Sequence, residues 1–412
     1  MIDRIKRIPE LRFSNFYNEW QEKKLGDLGK TYTGLSGKTK TDFGFGDSHF
    51  ITYMNVFKNN IAKFEMTEKV KISNNEKQNK VNYGDIFFTT SSEVPQEVGM
   101  TSIWLFKTNN VYLNSFCFGF RVTINNVLPI FLARYLRSEN IRKKITILAQ
   151  GSTRFNLSKK EVMKLSINFP EINEQQKIGD FFSKLDRQIE LEEQKLAKLE
   201  EQKKGYMQKI FSKELRFKDE NGNNYPEWEE KKLKELIDVR DGTHESPKPS
   251  KEGYLLVTSK NLKNSKLDLS ESYFISKEDY ESINQRSKVE IGDILFGMIG
   301  TIGNPILLEE CDFAIKNVAL LKTNDLLEKY YILNFLKSSN ISKQFYRMNA
   351  GGTQKFIALS TIRDLNIDMP SSEEAIKIGN FFNKVDNLIE NQSNKLELLK
   401  KRKQGFLQKM FI

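Results

Sequence analysis

Histidine and cysteine, the side chains most readily recruited to nucleophilic and acid–base chemistry at neutral pH, number only two each in this 412-residue chain, and no pattern joins them into a site. The only histidines, His49 and His244, fall one in each half in unlike contexts, so a Ser-His-Asp or Cys-His arrangement has no support. Two cysteines, Cys117 and Cys311, supply neither a disulfide framework nor a four-ligand zinc site. The run Gly34-Leu35-Ser36-Gly37-Lys38-Thr39 imitates a phosphate loop, but Tyr32 stands where that pattern requires glycine. It reads better as a basic surface loop. Gly297, Gly300 and Gly303 follow a strand-like run without spelling a dinucleotide fingerprint. A loose nuclease pattern can be assembled from Glu22-Lys23-Lys24 and recurs at Glu230, where a solvated charge run is the simpler reading. No catalytic centre emerges.

What remains are loops rich in groups that touch phosphates and base edges. In the first half they hold Lys38 and Lys40, Ser91 and Ser92, and Ser152, Thr153, Arg154 and Asn156. In the second they hold Arg240, Thr243 and His244, Ser259 and Lys260, and Thr353, Gln354 and Lys355. Each loop alone resembles an ordinary surface turn. Their recurrence in matching places of two diverged halves is the signal.

The elements that must position these loops come from an internal duplication. Residues 177–211 align without gaps on residues 377–411, with Gly179/Gly379, Phe182/Phe382, Asp186/Asp386, Leu199/Leu399 and Gly205/Gly405 among the identical pairs. Weaker echoes surround them. Glu10-Leu11-Arg12-Phe13 returns as Glu214-Leu215-Arg216-Phe217, Glu19-Trp20 as Glu227-Trp228, and Gly84-Asp85-Ile86 as Gly292-Asp293-Ile294. One copy of the Glu-Leu-Arg-Phe run opens the chain and the other follows the first invariant segment. That is the order of a ring of repeats opened at one point, and it predicts chain ends that lie close together around a pseudo-two-fold axis.

Within the invariant segment Ile178, Phe182, Leu185, Ile189, Glu192, Leu196, Leu199, Lys203, Tyr206 and Ile210 alternate spacings of four and three, a heptad seam. The second copy repeats it from Ile378 to Met410, with Gln392 and Lys403 at the same two polar positions, which read as register pins or snorkelling positions. Each helix should begin after a proline, Pro170 or Pro370, with Ser371 and Glu374 forming a capping box. An intramolecular antiparallel coiled coil is expected, the alternative being that each helix packs on its own domain. The diverged segments should be α+β domains. Strands are predicted at 50–56, 85–90, 102–106 and 116–122, and again at 254–258, 293–296 and 314–321; helices at 129–148 and 328–346; and a capping box at Ser158 and Glu161. The domain expectation is 1–170, a spacer helix 171–215, a second domain 216–370 and a second spacer helix 371–412.

Composition sets the outer limits. Hydrophobic residues at 38% and charged residues at 29% describe a globular chain and not a disordered one. A polar, basic start and the lack of any long apolar run predict neither a secretory signal nor a membrane span, hence a cytoplasmic protein. The formal charge is +11, and residues 1–170 carry 26 basic against 15 acidic groups, so an electrostatic footprint on nucleic acid is expected chiefly there.

The sequence resembles the DNA-specificity subunits of type I restriction–modification enzymes. The resemblance rests on Pro226-Glu227-Trp228-Glu229-Glu230-Lys231-Lys232-Leu233, Arg240-Asp241-Gly242-Thr243-His244-Glu245-Ser246-Pro247, Gly292-Asp293-Ile294-Leu295, Gly351-Gly352-Thr353-Gln354-Lys355-Phe356 and the twin helices. It spans nearly the whole chain. The first half departs from it, with Thr33-Gly34-Leu35-Ser36 in the region of the Asp-Gly-Thr-His run. The resemblance implies two α/β target recognition domains, each reading half of a bipartite double-stranded DNA target, separated by two long antiparallel coiled-coil helices. It further implies two methyltransferase subunits docked on those helices and two motor-nuclease subunits, with S-adenosylmethionine, ATP and Mg bound by those partners and no cofactor on this chain. Consistent with that division, Asn304-Pro305 is followed by Ile306 and fails the adenine-methylase motif. A DNA-recognising nuclease with its own metal site and a coiled-coil scaffold stay open as alternatives.

Overall fold

The computed structural model describes residues 7–73, 75–263, 266–300, 302–323, 326–348 and 356–412. It divides into two compact units, Met1–Glu192 with Lys395–Ile412, and Glu193–Asn394. The division cuts both long helices, Ile172–Phe211 and Ser372–Lys409, near their middles. Each unit therefore holds one globular part, the N-terminal half of one helix and the C-terminal half of the other.

The two globular parts have the same sheet plan despite their divergence. In the first unit an antiparallel sheet runs in the order Gly29–Thr33, Cys117–Val122, Ile86–Thr89, Thr101–Ile103. In the second the order is Asp238–Asp241, Val318–Lys322, Ile294–Gly297, Gly303–Leu307. A second sheet places Phe43–Ile51 between antiparallel Thr67–Val70 and parallel Val111–Leu113, and likewise Tyr254–Thr258 between Tyr273–Ile275 and Phe313–Lys316. Ile86–Thr89 and Ile294–Gly297 are buried on both faces, which is why they read as continuous apolar runs without alternation.

The Gly-Asp-Ile echo belongs to this scaffold. Gly84 and Gly292 sit at φ of 86° and 91°, where a side chain is strained. The following aspartates are fully buried and capture a cation on the neighbouring strand: Asp85 takes Arg121, and Asp293 takes Lys322 at 2.6 Å. Asp85 also accepts from the Tyr32 hydroxyl, and burial beside that carboxylate raises the Tyr32 phenol well above its usual range.

Each pair of helix halves runs antiparallel inside its unit. In the first unit Phe182 stacks on Phe411 at 5.7 Å, Asp186 meets Lys403 at 2.5 Å and Glu192 meets Lys395 at 2.5 Å. In the second, Phe211 stacks on Phe382 at 5.7 Å and Lys203 meets Asp386 at 2.5 Å. The polar seam lysines thus pair with aspartates of the facing helix. The same segments also pack on the globular parts, through Trp20, Phe131 and Tyr135 in one unit and Trp228, Tyr331 and Phe335 in the other. Gly379 permits this approach, since a Cβ there would lie 2.8 Å from the Tyr331 backbone nitrogen. The chain ends meet as the ring order predicts: Leu11 N donates to Lys409 O at 2.8 Å, and its counterpart Leu215 N donates to Lys209 O at 3.0 Å along a continuous chain.

Several local expectations are corrected. The helices predicted at 129–148 and 328–346 are each two, Pro129–Tyr135 then Glu139–Ile147, and Lys329–Leu336 then Ser339–Met348. The strand predicted at 50–56 stops at Ile51, because the Thr52 hydroxyl accepts from Asn55 N at 3.2 Å and starts the helix Tyr53–Lys58. The run 314–321 is broken by Asn317 at φ 54°. Ser158 makes no side-chain cap, and Glu161 pairs with Lys164 instead. Glu374 N does reach the Ser371 hydroxyl at 3.4 Å, but its carboxylate turns inward to Arg216 and Trp228 and not back to residue 371.

Candidate nucleic-acid interface

The second unit gathers its loops around the break at Asn317. Strand Asp238–Asp241 runs into Gly242-Thr243-His244, where Thr243 N donates to Ile315 O at 2.9 Å and Asn317 N returns to Thr243 O at 3.1 Å. Asp241, 5% exposed, accepts from Arg286 and lies 3.0 Å from Nε2 of His244. Nδ1 of His244 lies 2.8 Å from Oδ1 of Asn317. The imidazole is held at both nitrogens, yet 59% of its side chain stays exposed. A ring fixed in this way faces solvent with little entropy left to lose on contact with a ligand.

Ser259 does not fit the expectation of a DNA contact. It is 3% exposed, and its hydroxyl donates to Asn317 O at 3.0 Å while accepting from Met298 N and Ile299 N. That hydroxyl braces three segments and has no face left for a base. Lys260 beside it is exposed. Leu256, Lys260, Tyr273, Ile299 and Asn317 line a cleft of about 510 Å³ here. Arg240 is partly exposed and paired with Asp238 at 2.7 Å. Thr353, Gln354 and Lys355 lie outside the described residues; the chain returns at Phe356, which bridges to Ile299.

In the first unit a small sheet does the gathering. Phe155–Leu157 pairs with Ala149–Gln150 on one side and Ser91–Ser92 on the other, setting Asn156 opposite Ser91 and Phe155 opposite Ser92. Arg154 donates to the Ser91 hydroxyl at 3.1 Å, and the Ser92 hydroxyl donates to Glu97 at 3.1 Å. Ser152, Thr153, Arg154 and Asn156 are exposed, whereas Ser91 is 6% exposed and serves to hold Arg154. Lys40 is exposed at the start of a short turn capped by Thr39 and Asp42. Lys38 is a correction: its ammonium bonds Lys71 O and Glu76, and that bond is the largest cause holding the Glu76 carboxyl down at about 2. Its charge is already matched within the fold, so contact with a phosphate requires breaking that pair.

Sequence reasoning missed Arg286, Lys316, Asn317 and Tyr53. Arg286 and Tyr53 enter only through tertiary contacts, Tyr53 by donating to Ser91 O at 2.8 Å. The polar Lys316-Asn317 pair inside an apolar run was the available signal. Among the described residues no cluster of three or more His, Cys, Asp or Glu could hold a metal ion. Among them, too, no helix is long and apolar enough to cross a membrane.

This arrangement has known counterparts. The type I restriction modification DNA specificity domain matches twice, over residues 17–201 and 225–401. The chain is 31% identical over 213 residues to the type I restriction enzyme MjaX specificity subunit of Methanocaldococcus jannaschii, an alignment spanning 49% of each protein, so it covers about half that relative's length. It is 22% identical over 420 residues to the MjaVIII specificity subunit of the same organism, covering 97% of this chain and 92% of that one. Among solved structures it is similar in fold to a type I restriction-modification S subunit from M. genitalium, with a TM-score of 0.61, 16% identity and coverage of 98% and 99%. A chain from a type I R-M system complex gives a TM-score of 0.57 at 16% identity, covering 95% and 97%.

Proposed function

Since the chain belongs to the type I restriction modification DNA specificity family, we propose that it reads a bipartite double-stranded DNA target, one half with each globular unit. The observation that carries this reading is the pairing of like scaffolds with unlike loops. Both units share one sheet plan, while the exposed polar side chains it carries differ, Arg154 and Asn156 in one and His244, Arg286 and Lys260 in the other. Two sensors on a common frame give two independent half-site readings.

The chain itself is the non-catalytic subunit. Two methyltransferase subunits dock on the long helices, where Leu191, Leu388 and Leu398 are about half exposed, and two motor-nuclease subunits complete the assembly. Those partners bring S-adenosylmethionine, ATP and Mg, and adenine is the base modified. The assembly works in the cytoplasm. The test is to map methylated adenines in cells carrying this chain: a split target supports the reading, and a continuous one overturns it. Cleavage of DNA by the purified chain with magnesium alone would favour a self-contained nuclease instead, and absence of salt-dependent DNA binding would favour a scaffold.

Two further outcomes are expected. His244→Ala should weaken binding of the full chain by about 1–3 kcal/mol and relax discrimination at one position of one half-site. Unchanged affinity at fixed salt would remove His244 from the interface. Inserting one heptad into both long helices adds about 10 Å of rise and should shift the preferred gap between half-sites. An unchanged gap in a methylation survey refutes the role of the helices as a spacer.

A further inference from the structure

Because the chain is a duplication, each unit is a control for the other, and one pair of positions differs in a way that leaves a cavity. In the first unit Arg134, 2% exposed on helix Pro129–Tyr135, is ion-paired with Asp186, which also holds Lys403 at 2.5 Å. A shift of 200 places Asn334 at the matching position, while Asp386 and Lys203 keep their pair at 2.5 Å. The shorter side chain borders a cavity of about 460 Å³, whose lining includes Lys203, Asn334, Lys337, Asp386 and Glu390.

Two observations say what this cavity is built to receive. Asn334 is 1% exposed; its amide nitrogen donates to Tyr330 O at 2.8 Å, and its Oδ1 has no hydrogen-bond partner among the described residues. A buried acceptor left without a donor is costly, so this wall asks for an N–H. The charges agree. Glu200, Glu309, Asp386 and Glu390 line the cavity against Lys203, Lys266 and Lys337, and Lys203 and Lys266 are already paired with Asp386 and Glu390.

We propose that this cavity binds a guanidinium group, the same group the first repeat supplies from its own Arg134. A guanidinium offers five N–H donors in one plane, enough to satisfy Oδ1 of Asn334 and a carboxylate together. Lys337 lines the same cavity, but its ammonium gives Oδ1 of Asn334 no hydrogen bond. Its counterpart Arg137 turns into the globular part and donates to the backbone carbonyls of Thr101, Val56 and Asn59. Burial, then Lys203, pushes the Lys337 ammonium down to about 8 against the pull of Asp386. A cationic guest is therefore admitted more easily as Lys337 gives up its proton, and its affinity rises from pH 7 to pH 9.

The test is thermal unfolding of the full chain with methylguanidinium, against tetramethylammonium at equal ionic strength. A saturable rise in Tm of a few degrees is expected, with a dissociation constant on the order of 1–10 mM. Asn334→Arg should raise Tm without ligand and abolish the response; Asn334→Met fills the space without charge and should abolish it too. Arg134→Asn should lower Tm and enlarge the response by opening the matching position. Tighter binding of N-acetylarginine amide than of methylguanidinium assigns the natural guest as an arginine side chain; the reverse assigns a small free guanidinium compound. No saturable shift in the parent chain, or the same shift in the Asn334→Arg and Asn334→Met variants, overturns the proposal.

Discussion

Replacing Glu374 by alanine should lower the unfolding free energy of the chain by about 3–5 kcal/mol. Glu374 is fully buried in the first turn of the second long helix. Its carboxylate accepts from Arg216 at 3.2 and 2.8 Å and from the Trp228 indole at 2.9 Å. Deleting it takes the buried counter-charge from a guanidinium that is only 16% exposed, which keeps Glu227 and the carbonyls of Tyr225 and Pro226, and it strands the buried Trp228 indole N–H. It also removes a negative charge from a helix N-terminus, where the backbone dipole favours one. Glu374→Gln keeps an acceptor without the charge and should fall between. The first repeat makes the matching bond, Arg12 to Glu174 at 2.7 Å through Nε and Nη2, but its Trp20 indole nitrogen has no acceptor among the described residues. Glu174→Ala should therefore cost less than Glu374→Ala. Urea unfolding of the full chain measures all three. A loss below about 1 kcal/mol for Glu374→Ala would show the pair to be no stronger than a surface ion pair.

This cluster also shows where sequence reading reached and where it stopped. The repeat of Glu-Leu-Arg-Phe and of Trp20/Trp228 was visible, as was the acidic residue near the helix start. Capping geometry is local and can be read from four residues, so Glu374 was assigned to Ser371. Its actual partners are 158 and 146 residues away, and no short-range pattern encodes that distance. The long helices were legible because a heptad repeats its own evidence at every turn. Their antiparallel packing followed from the order of the repeats. The sheets were legible only as strands: pairing Gly29–Thr33 with Cys117–Val122 across most of a domain leaves no local trace. Among the candidate contacts, residue type identified the loops but not their use. Ser259 and Lys38 have the right chemistry and are committed to Asn317 and Glu76, whereas Arg286 reaches the site only because Asp241 draws it there.

Exchanging residues 1–170 for the corresponding part of another family member should change the methylated bases in one half of the target and leave the other half untouched. The exchange succeeds only if the incoming segment preserves what the long helices hold. Those contacts are Arg12 with Glu174, Phe13 edge-on to Phe181 at 6.2 Å, Trp20 against Phe411 at 6.4 Å, and Arg134 with Asp186. The strand Ser166–Phe169 pairs with Gln21–Lys24 inside the exchanged piece, so the cut after residue 170 severs no sheet. Arg12, Phe13 and Trp20 fall in the runs that recur between the two repeats. Docking to the helices explains that recurrence, whereas Ser152, Thr153, Arg154 and Asn156 are exposed. The charge distribution gives a second readout. Residues 1–170 hold 11 more basic than acidic groups, equal to the net charge of the whole chain. A less basic replacement should flatten the dependence of DNA affinity on salt, because fewer counterions are released. A donor lacking the arginine at position 12 should fold poorly whatever its loops contain. If the exchange alters both halves of the target, the two readings are not independent, and the division of labour between the units fails.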